Sequence, residues 1–293
     1  MKVVLMGSRG HVTKPLTNIL VAKGVDTTVI TRSKENAKLI EKDGAKAVIG
    51  SNFDKKFMLD SFMGADFVFI LLPVNIFVAD TLQQLKDQCS IACDAILEAG
   101  VPNVIYFSGI GSDNPDLGFH YDAENIVEEK LGSLNSITIV RAAAFFTNLL
   151  NHVNTIKSNG VIYSNTQRDQ VETYVHADDI AQVCVDIIMN PSLDKKITIV
   201  SVESDSANAS QIEQLFKDNL GLDVKWVSVS DEDALQSLTN AGVAEANSKA
   251  FINLFSEKYH KDIVDGVNAH RNIVGVHRLP EFLKTEFASV YNQ

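Results

Sequence analysis

The chain has 293 residues, 45% of them hydrophobic, with 26 Lys and Arg against 37 Asp and Glu. A net charge of −11 argues against direct nucleic-acid binding, which calls for a basic stripe. No apolar run approaches the roughly 20 residues that span a bilayer, and three cysteines are too few for a disulfide framework.

The first strand begins at once, without the charged, apolar and cleavage regions of a signal peptide, so a cytoplasmic protein without membrane contact is expected. Its apolar run, Lys2-Val3-Val4-Leu5-Met6, breaks at Gly7-Ser8-Arg9-Gly10-His11-Val12 and resumes at helical spacing with Leu16, Ile19 and Leu20. A strand, a glycine turn and a helix in this order form the phosphate cradle of dinucleotide-binding folds. Gly7 suits the tight turn, and Gly10, lacking a Cβ, lets the backbone approach a pyrophosphate held by the helix N-terminus. Thr13 stands in the third position, where close helix–strand packing favours glycine; its side chain is expected to hold the helix back. Pro15 fits a first turn, whose N–H groups have no intrahelical partner.

Further along, strand-like runs at residues 27–31, 47–49, 67–72, 104–107 and 137–140 alternate with amphipathic stretches such as 35–42 and 82–99. Gly24, Gly44 and Gly100 close helices, as a left-handed terminal residue requires. Such alternation predicts an α/β fold: a doubly wound parallel sheet of Rossmann type, with a smaller, mainly C-terminal α+β lobe. The dinucleotide-binding domain is expected over residues 1–150, with 171–190 returning to it. Residues 191–293 would form a substrate lobe that does not fold alone. The polar stretch 201–210 is expected to be a solvated connection between the two. Cys89, Cys93 and Cys184 read as buried structural thiols, with no ligand spacing for a metal.

The second strand selects the cofactor. A carboxylate about 20 residues after the glycines binds the ribose hydroxyl of NAD. Here the segment reads Val29-Ile30-Thr31-Arg32-Ser33-Lys34. Arg32, with Arg9 and Lys34 nearby, favours the 2′-phosphate of NADP(H) over NAD(H).

These motifs together resemble the NmrA-like atypical short-chain dehydrogenases/reductases. So do Ala65-Asp66-Phe67-Val68-Phe69-Ile70-Leu71-Leu72-Pro73, Ala99-Gly100-Val101-Pro102-Asn103-Val104-Ile105-Tyr106-Phe107-Ser108 and Ile139-Val140-Arg141, then Phe146-Thr147-Asn148 and Val175-His176-Ala177-Asp178-Asp179-Ile180-Ala181. The resemblance implies NAD(P) binding under a small lobe that closes over a substrate cleft. It implies that Gly7, Ser8, Arg9, Gly10, His11 and Val12 line the pyrophosphate, and that Arg32 and Lys34 face the adenosine ribose. Leu71, Leu72 and Pro73 would pack along the middle of the cofactor, and Ser108 would lie near the nicotinamide. Ser51 and Asn52 stand where relatives often hold an Asp near the adenine.

The chemistry departs from the common pattern. No tyrosine has a lysine four residues on, so the Tyr-x-x-x-Lys proton-transfer pair is absent. Relatives often read His-x-x-x-Lys at Phe119-His120-Tyr121-Asp122-Ala123-Glu124, but Glu124 holds the lysine's place. His120, at a helix start after the turn-rich segment 109–118, is the catalytic candidate; Tyr121 lacks its partner and ranks below it. Asp178 and Asp179 are read as capping and supporting a first turn. Asn148 is placed at the cleft wall. Phe251, Leu254, Phe255 and Tyr259 suggest an apolar lobe beside a substrate cleft, although most such residues at helical spacing are core, and Trp226 is expected to pack in that lobe. Two functions follow. One is an NADPH-dependent reductase of a quinone- or dye-like small molecule that needs only hydride. The other is a non-catalytic NADP(H) sensor acting on a regulatory protein.

Overall fold

The computed structural model describes residues 1–117, 119–134, 136–191 and 196–293. Gly118, which ends the turn-rich segment, and residues 192–195, at the expected lobe boundary, lie outside the described residues.

The N-terminal half alternates strand and helix: β1 (Lys2–Leu5), α1 (Thr13–Ala22), β2 (Asp26–Thr31), α2 (Lys34–Lys42), β3 (Lys46–Ile49), α3 (Lys55–Phe62), β4 (Phe67–Ile70), α4 (Thr81–Ala99), β5 (Asn103–Gly109), α5 (Tyr121–Leu131) and β6 (Ser136–Ala142). Then come β7 (Ala144–Phe145), a 3-10 turn (Phe146–His152), α6 (Val153–Asn159), β8 (Val161–Ser164), β9 (Glu172–Val175) and α7 (Ala177–Met189). The rest comprises β10 (Lys196–Glu203), β11 (Asp205–Ala207), α8 (Ala209–Leu220), β12 (Lys225–Ser228), α9 (Asp231–Asn240), α10 (Glu245–Asn253), α11 (Glu257–Asn268), β13 (Arg271–Val274) and a helical tail, α12 (Leu279–Phe282), a π-turn (Leu283–Phe287) and α13 (Ala288–Tyr291).

Eight strands form one parallel sheet in the order β13-β10-β6-β5-β4-β1-β2-β3. The order reverses between β1 and β4, and the crevice beyond that switch point is where doubly wound sheets bind ligands. Side chains alternate across the sheet. Val3 and Leu5 pack with Leu16, Leu20, Ile180 and Cys184 on one face. Val4 and Met6 pack with Met58, Phe62, Cys89 and Cys93 on the other. All three cysteines are buried, and burial pushes the Cys184 thiol up to about 12, so it stays protonated. Helix α7 lies against α1, on the Rossmann side.

Beyond residue 190, β10 and β13 also join the large sheet, through β6. This overturns the reading of 201–210 as a solvated connection. Ser201 and Val202 are buried in β10, and Ser204 is buried between β9 and α7, its hydroxyl donating to Asp179 at 2.5 Å. The polar residues divide: Ser204 is hydrogen-bonded inside the fold, Ser201 is buried without a partner for its hydroxyl, and Ser206 and Ser210 are exposed. The lobe itself packs Phe146, Ile212, Phe216, Trp226, Phe282 and Phe287 into a separate core. Trp226 sits there as expected, with its indole N–H donating to the Thr166 carbonyl at 3.2 Å. Among the described residues, no helix is long and apolar enough to cross a membrane.

Candidate dinucleotide and acceptor site

The glycine loop is held from three sides. Met6 N–H donates to Phe69 O (2.9 Å), Ser8 N–H to Ile30 O (3.2 Å) and Gly10 N–H to Gly7 O (3.1 Å). Gly7 has φ 105°, and a Cβ there would lie 2.6 Å from the Thr13 hydroxyl and 3.2 Å from Leu71. No side chain fits. Ser8, at φ 54°, is the one non-glycine residue with positive φ among the described residues. Its Oγ lies 2.8 Å from Thr31 Oγ1 and accepts from Asn36 Nδ2 at 3.2 Å, which ties the loop to the end of β2. Backbone kept in a sparsely populated region commonly marks a functional loop.

Thr13 does not hold the helix away. It is fully buried, and its hydroxyl fills the space above Gly7 and donates to Met6 O at 3.3 Å. The missing side chain of Gly7 is what makes room for it. Thr13→Gly is therefore expected to lower stability by about 2 kcal/mol, the sum of a helix-glycine penalty and a lost buried hydrogen bond. It is expected to leave dinucleotide affinity no tighter. Chemical denaturation and calorimetry check both statements, and tighter binding in the variant contradicts the packing argument.

A cleft of about 490 Å³ opens beside this loop. Arg9, Gly10, His11 and Lys14 form one wall, and Phe145, Thr147, His176, Asp178 and Glu286 the other. Arg9 Nη2 pairs with Asp43 at 2.8 Å, while its Nε is buried without a partner. Among the described residues, the amides of His11 and Val12 also have no backbone acceptor in the fold. A buried, orphaned donor beside free amides just ahead of α1 is chemistry suited to an anionic ligand. These residues fit the pyrophosphate or 2′-phosphate of a dinucleotide.

The other expected contacts divide. The His11 side chain is exposed, whereas Val12 is core and offers only its amide. Arg32 and Lys34 are exposed at and just beyond the end of β2. Leu71 touches the Gly7 position and Pro73 is exposed, while the Leu72 side chain packs into the core beneath the sheet. Asn52 donates to Gln88 Oε1 at 3.3 Å. The cleft wall takes Thr147 rather than its neighbour Asn148.

Ser108 is also turned inward. It is fully buried, its hydroxyl is hydrogen-bonded to Glu124, and Ser112 Oγ lies 3.0 Å away. The hydroxyl is therefore not available at the cleft surface. The cause is Glu124, buried in the lysine's place and gripped by Arg141 of β6: Nη2 to Oε2 at 2.7 Å and Nε to Oε1 at 3.2 Å. Both side chains are nearly inaccessible, 5% exposed for Arg141 and 3% for Glu124. Burial raises the Glu124 carboxyl above its usual range, against the pull of Arg141 and Ser108. At the position where the resemblance leads one to expect a lysine, this chain buries an ion pair.

His120 caps the start of α5 by position only, with no side-chain cap bond, and its Nδ1 lies 3.2 Å from the buried Tyr106 hydroxyl. Burial lowers its pKa to about 4, so the ring is neutral near pH 7. A neutral imidazole can orient an acceptor but is a weak acid. Tyr121 begins α5 and is partly buried.

Asp178 and Asp179 separate in role. The N-cap of α7 is His176, whose Nδ1 accepts from Asp178 N–H at 3.2 Å. Asp179 fastens the C-terminal segment, accepting from Val276 N–H (3.0 Å), His277 N–H (3.2 Å) and Ser204 Oγ. Burial opposes its charge, but these bonds and His277 outweigh that and hold its carboxyl below the usual range. Capping is thus the wrong role for Asp179, although both carboxylates still lie in the first turn. The His176 and His277 rings stack at 4.2 Å between centroids, a pair that spacing in the sequence does not reveal. Ligand atoms of His176, Asp178 and His277 lie within 4.8 Å of one another. His176 Nε2 already meets Glu286 at 2.7 Å and His277 Nδ1 meets Asp179 at 2.9 Å, so these hydrogen bonds account for the cluster.

A parallel sheet with a reversed strand order, a glycine loop and an orphaned arginine donor at its carboxyl edge define a dinucleotide-binding protein of Rossmann type. Residues 1–277 match the profile of the NmrA-like family, and the chain belongs to it. An NAD(P)H azoreductase of Xenophilus azovorans is 22% identical over 256 residues, 87% of this chain and 86% of that protein. The Citrobacter sp. triphenylmethane reductase complexed with NADP(H) superposes with a TM-score of 0.75 at 18% identity, covering 96% of this chain and 99% of that one. An NADPH-dependent quinone oxidoreductase from Escherichia coli, complexed with NADPH, gives 0.75 at 16% identity over 97% and 99%. At these identities the two structures share the fold.

Proposed function

We infer that the protein is an NADPH-dependent reductase that passes hydride to a small quinone- or dye-like acceptor without a tyrosine–lysine proton relay. The buried Glu124–Arg141 pair carries this reading. A carboxylate stands where a cation would lower a phenol's pKa, and it ties up Ser108, so neither Glu124 nor Ser108 offers a proton at the carboxyl edge of β5. Hydride transfer to an acceptor that takes its proton from water needs only a positioned dinucleotide and an open face. The orphaned Arg9 Nε and the amides of His11 and Val12 supply the positioning, and the acceptors named for the relatives agree with the class. NADPH preference rests on Arg32 and Lys34 at the ribose side.

The same ion pair favours a second reading, a dinucleotide-bound regulator with no turnover, and one assay separates the two. NADPH oxidation is expected with a small quinone and absent with simple ketones, which need a proton at the reacting oxygen. Tyr121→Phe should change the quinone rate little. His120→Ala should cost far less than the roughly 10²–10⁴-fold of a positioned acid. With a neutral ring already at pH 5.5, the rate should show no inflection from His120 between pH 5.5 and 8. Tight NADPH binding without oxidation by any quinone or dye gives first place to the regulator.

A further inference from the structure

Arg9 is the one lysine or arginine between Gly7 and Val12, and its guanidinium is already engaged. Its Nη2 meets Asp43 Oδ2 at 2.8 Å, with the two side chains 20% and 24% exposed. Asp43 is the C-cap of α2, where its N–H donates to Leu39 O at 2.9 Å. A carboxylate at that end opposes the helix macrodipole, whose C-terminus is negative. The helix therefore gains nothing from the charge of Asp43. What that charge meets is Arg9. Helix α2 starts two residues past Arg32 and ends at Asp43, so the ion pair draws the guanidinium toward the far end of the helix, away from the ribose side.

This pose leaves the guanidinium incompletely bonded, because Nε is buried without a partner. A phosphate suits such a group better than one carboxylate oxygen does, since it can take two parallel N–H bonds. Ser8, the residue before Arg9, is tied to Thr31 and Asn36, so the loop reaches the end of β2 right beside Arg9. In doubly wound folds the end of the second strand meets the adenosine ribose, and an arginine nearby accommodates a 2′-phosphate. Arg9 also borders the cleft, together with Gly10, His11 and Lys14. One guanidinium thus stands between two anions, a carboxylate of the chain and a phosphate monoester.

We propose that Asp43 is a specificity-determining residue: its carboxylate competes with the 2′-phosphate of the dinucleotide for Arg9, and so holds down the preference for NADPH over NADH. The proposal rests on the dinucleotide reading of the site. It adds to Arg32 and Lys34 a third cation, whose availability the chain itself sets. Binding a 2′-phosphate requires Arg9 to give up Asp43, and NADH asks for no such exchange. The pair is partly exposed, so the competition amounts to a factor of a few and not to orders of magnitude. A weakened hold on NADP(H) favours exchange of the spent nucleotide, in turnover and in sensing alike.

Calorimetry on the full chain with NADPH and with NADH tests this. Asp43→Asn removes the charge and keeps the shape, so folding is not at stake. It is expected to raise the NADPH-to-NADH affinity ratio about three- to tenfold, with NADH affinity unchanged within twofold. Asp43→Glu keeps the charge and should move the ratio less than twofold. In an Arg9→Gln background, Asp43→Asn should leave the ratio where it was, because the two residues act as a pair. A ratio that falls in Asp43→Asn overturns the proposal, since the carboxylate then positions Arg9 for the phosphate. An unmoved ratio overturns it too. A rise that persists in the Arg9→Gln background also overturns it, assigning the effect to direct repulsion of the phosphate. Binding of neither nucleotide by any of these proteins overturns the dinucleotide reading and the proposal with it. A preference for NADPH that emerges only in Asp43→Asn supports the proposal and shows that Arg32 and Lys34 do not suffice.

Discussion

Arg141→Met is expected to destabilise the protein by about 3–5 kcal/mol, the usual cost of leaving one partner of a buried ion pair without the other. Glu124 would keep only Ser108 as a side-chain donor in a site that is 3% exposed. The penalty should depend on pH, with a definite sign. The Glu124 carboxyl is already raised by burial with Arg141 present, and without the guanidinium it rises further. Below the unfolded-state carboxyl pKa, near 4.3, both states are protonated and Glu124 adds no penalty. As pH rises from there through the raised folded value, the unfolded chain ionises first, so the variant loses stability across that window. The unsubstituted protein should show a weaker trend of the same sign from this group. Denaturant titrations at pH 5 and pH 8 measure it. A Glu124→Leu/Arg141→Met double variant should recover most of the loss, because apolar replacement of a whole buried pair is often near neutral. Should the double variant be as unstable as the single one, packing around the guanidinium and not its charge was the larger contribution.

Arg32→Asp is expected to invert cofactor choice. Arg32 follows Thr31, whose hydroxyl meets Ser8 at 2.8 Å, so it stands where the loop is tied to β2, and the proposed NADPH preference assigns it the 2′-phosphate. It is exposed, and Lys34 beside it is exposed as well. A charge-assisted contact to phosphate is worth about 1.5–3 kcal/mol, so NADPH should bind at least roughly tenfold more tightly than NADH. Aspartate repels the phosphate and accepts from the ribose hydroxyl, and the ratio should fall below one. Calorimetry with both nucleotides on both proteins is the measurement. Affinities for the two that agree within twofold in the unsubstituted protein reject Arg32 as the selector.

The corrections share a pattern. Leu72 and Ser108 belong to motifs placed at the right strand ends, yet their side chains turn inward. A one-residue alternation decides which way a strand residue points, and at a strand end that alternation stops being legible. Taken position by position, a glycine motif makes Thr13 an obstacle. In three dimensions Gly7 and Thr13 share one space, so a larger residue at one is matched by the smallest at the other.

The sequence by itself determined the β1–glycine loop–α1 unit, the parallel alternation through β6, the burial of the three cysteines and the absence of a tyrosine–lysine pair. All of these are local properties, carried by period, turn residues and short spacings. Only the tertiary structure decided what Glu124 of α5 does in the lysine's place, because its partner lies 17 residues away on strand β6. It likewise decided that β10 and β13 extend the sheet and that Asp179 clasps a segment 97 residues distant. A buried polar group must find a partner, but strand register and helix packing across the whole chain choose which one.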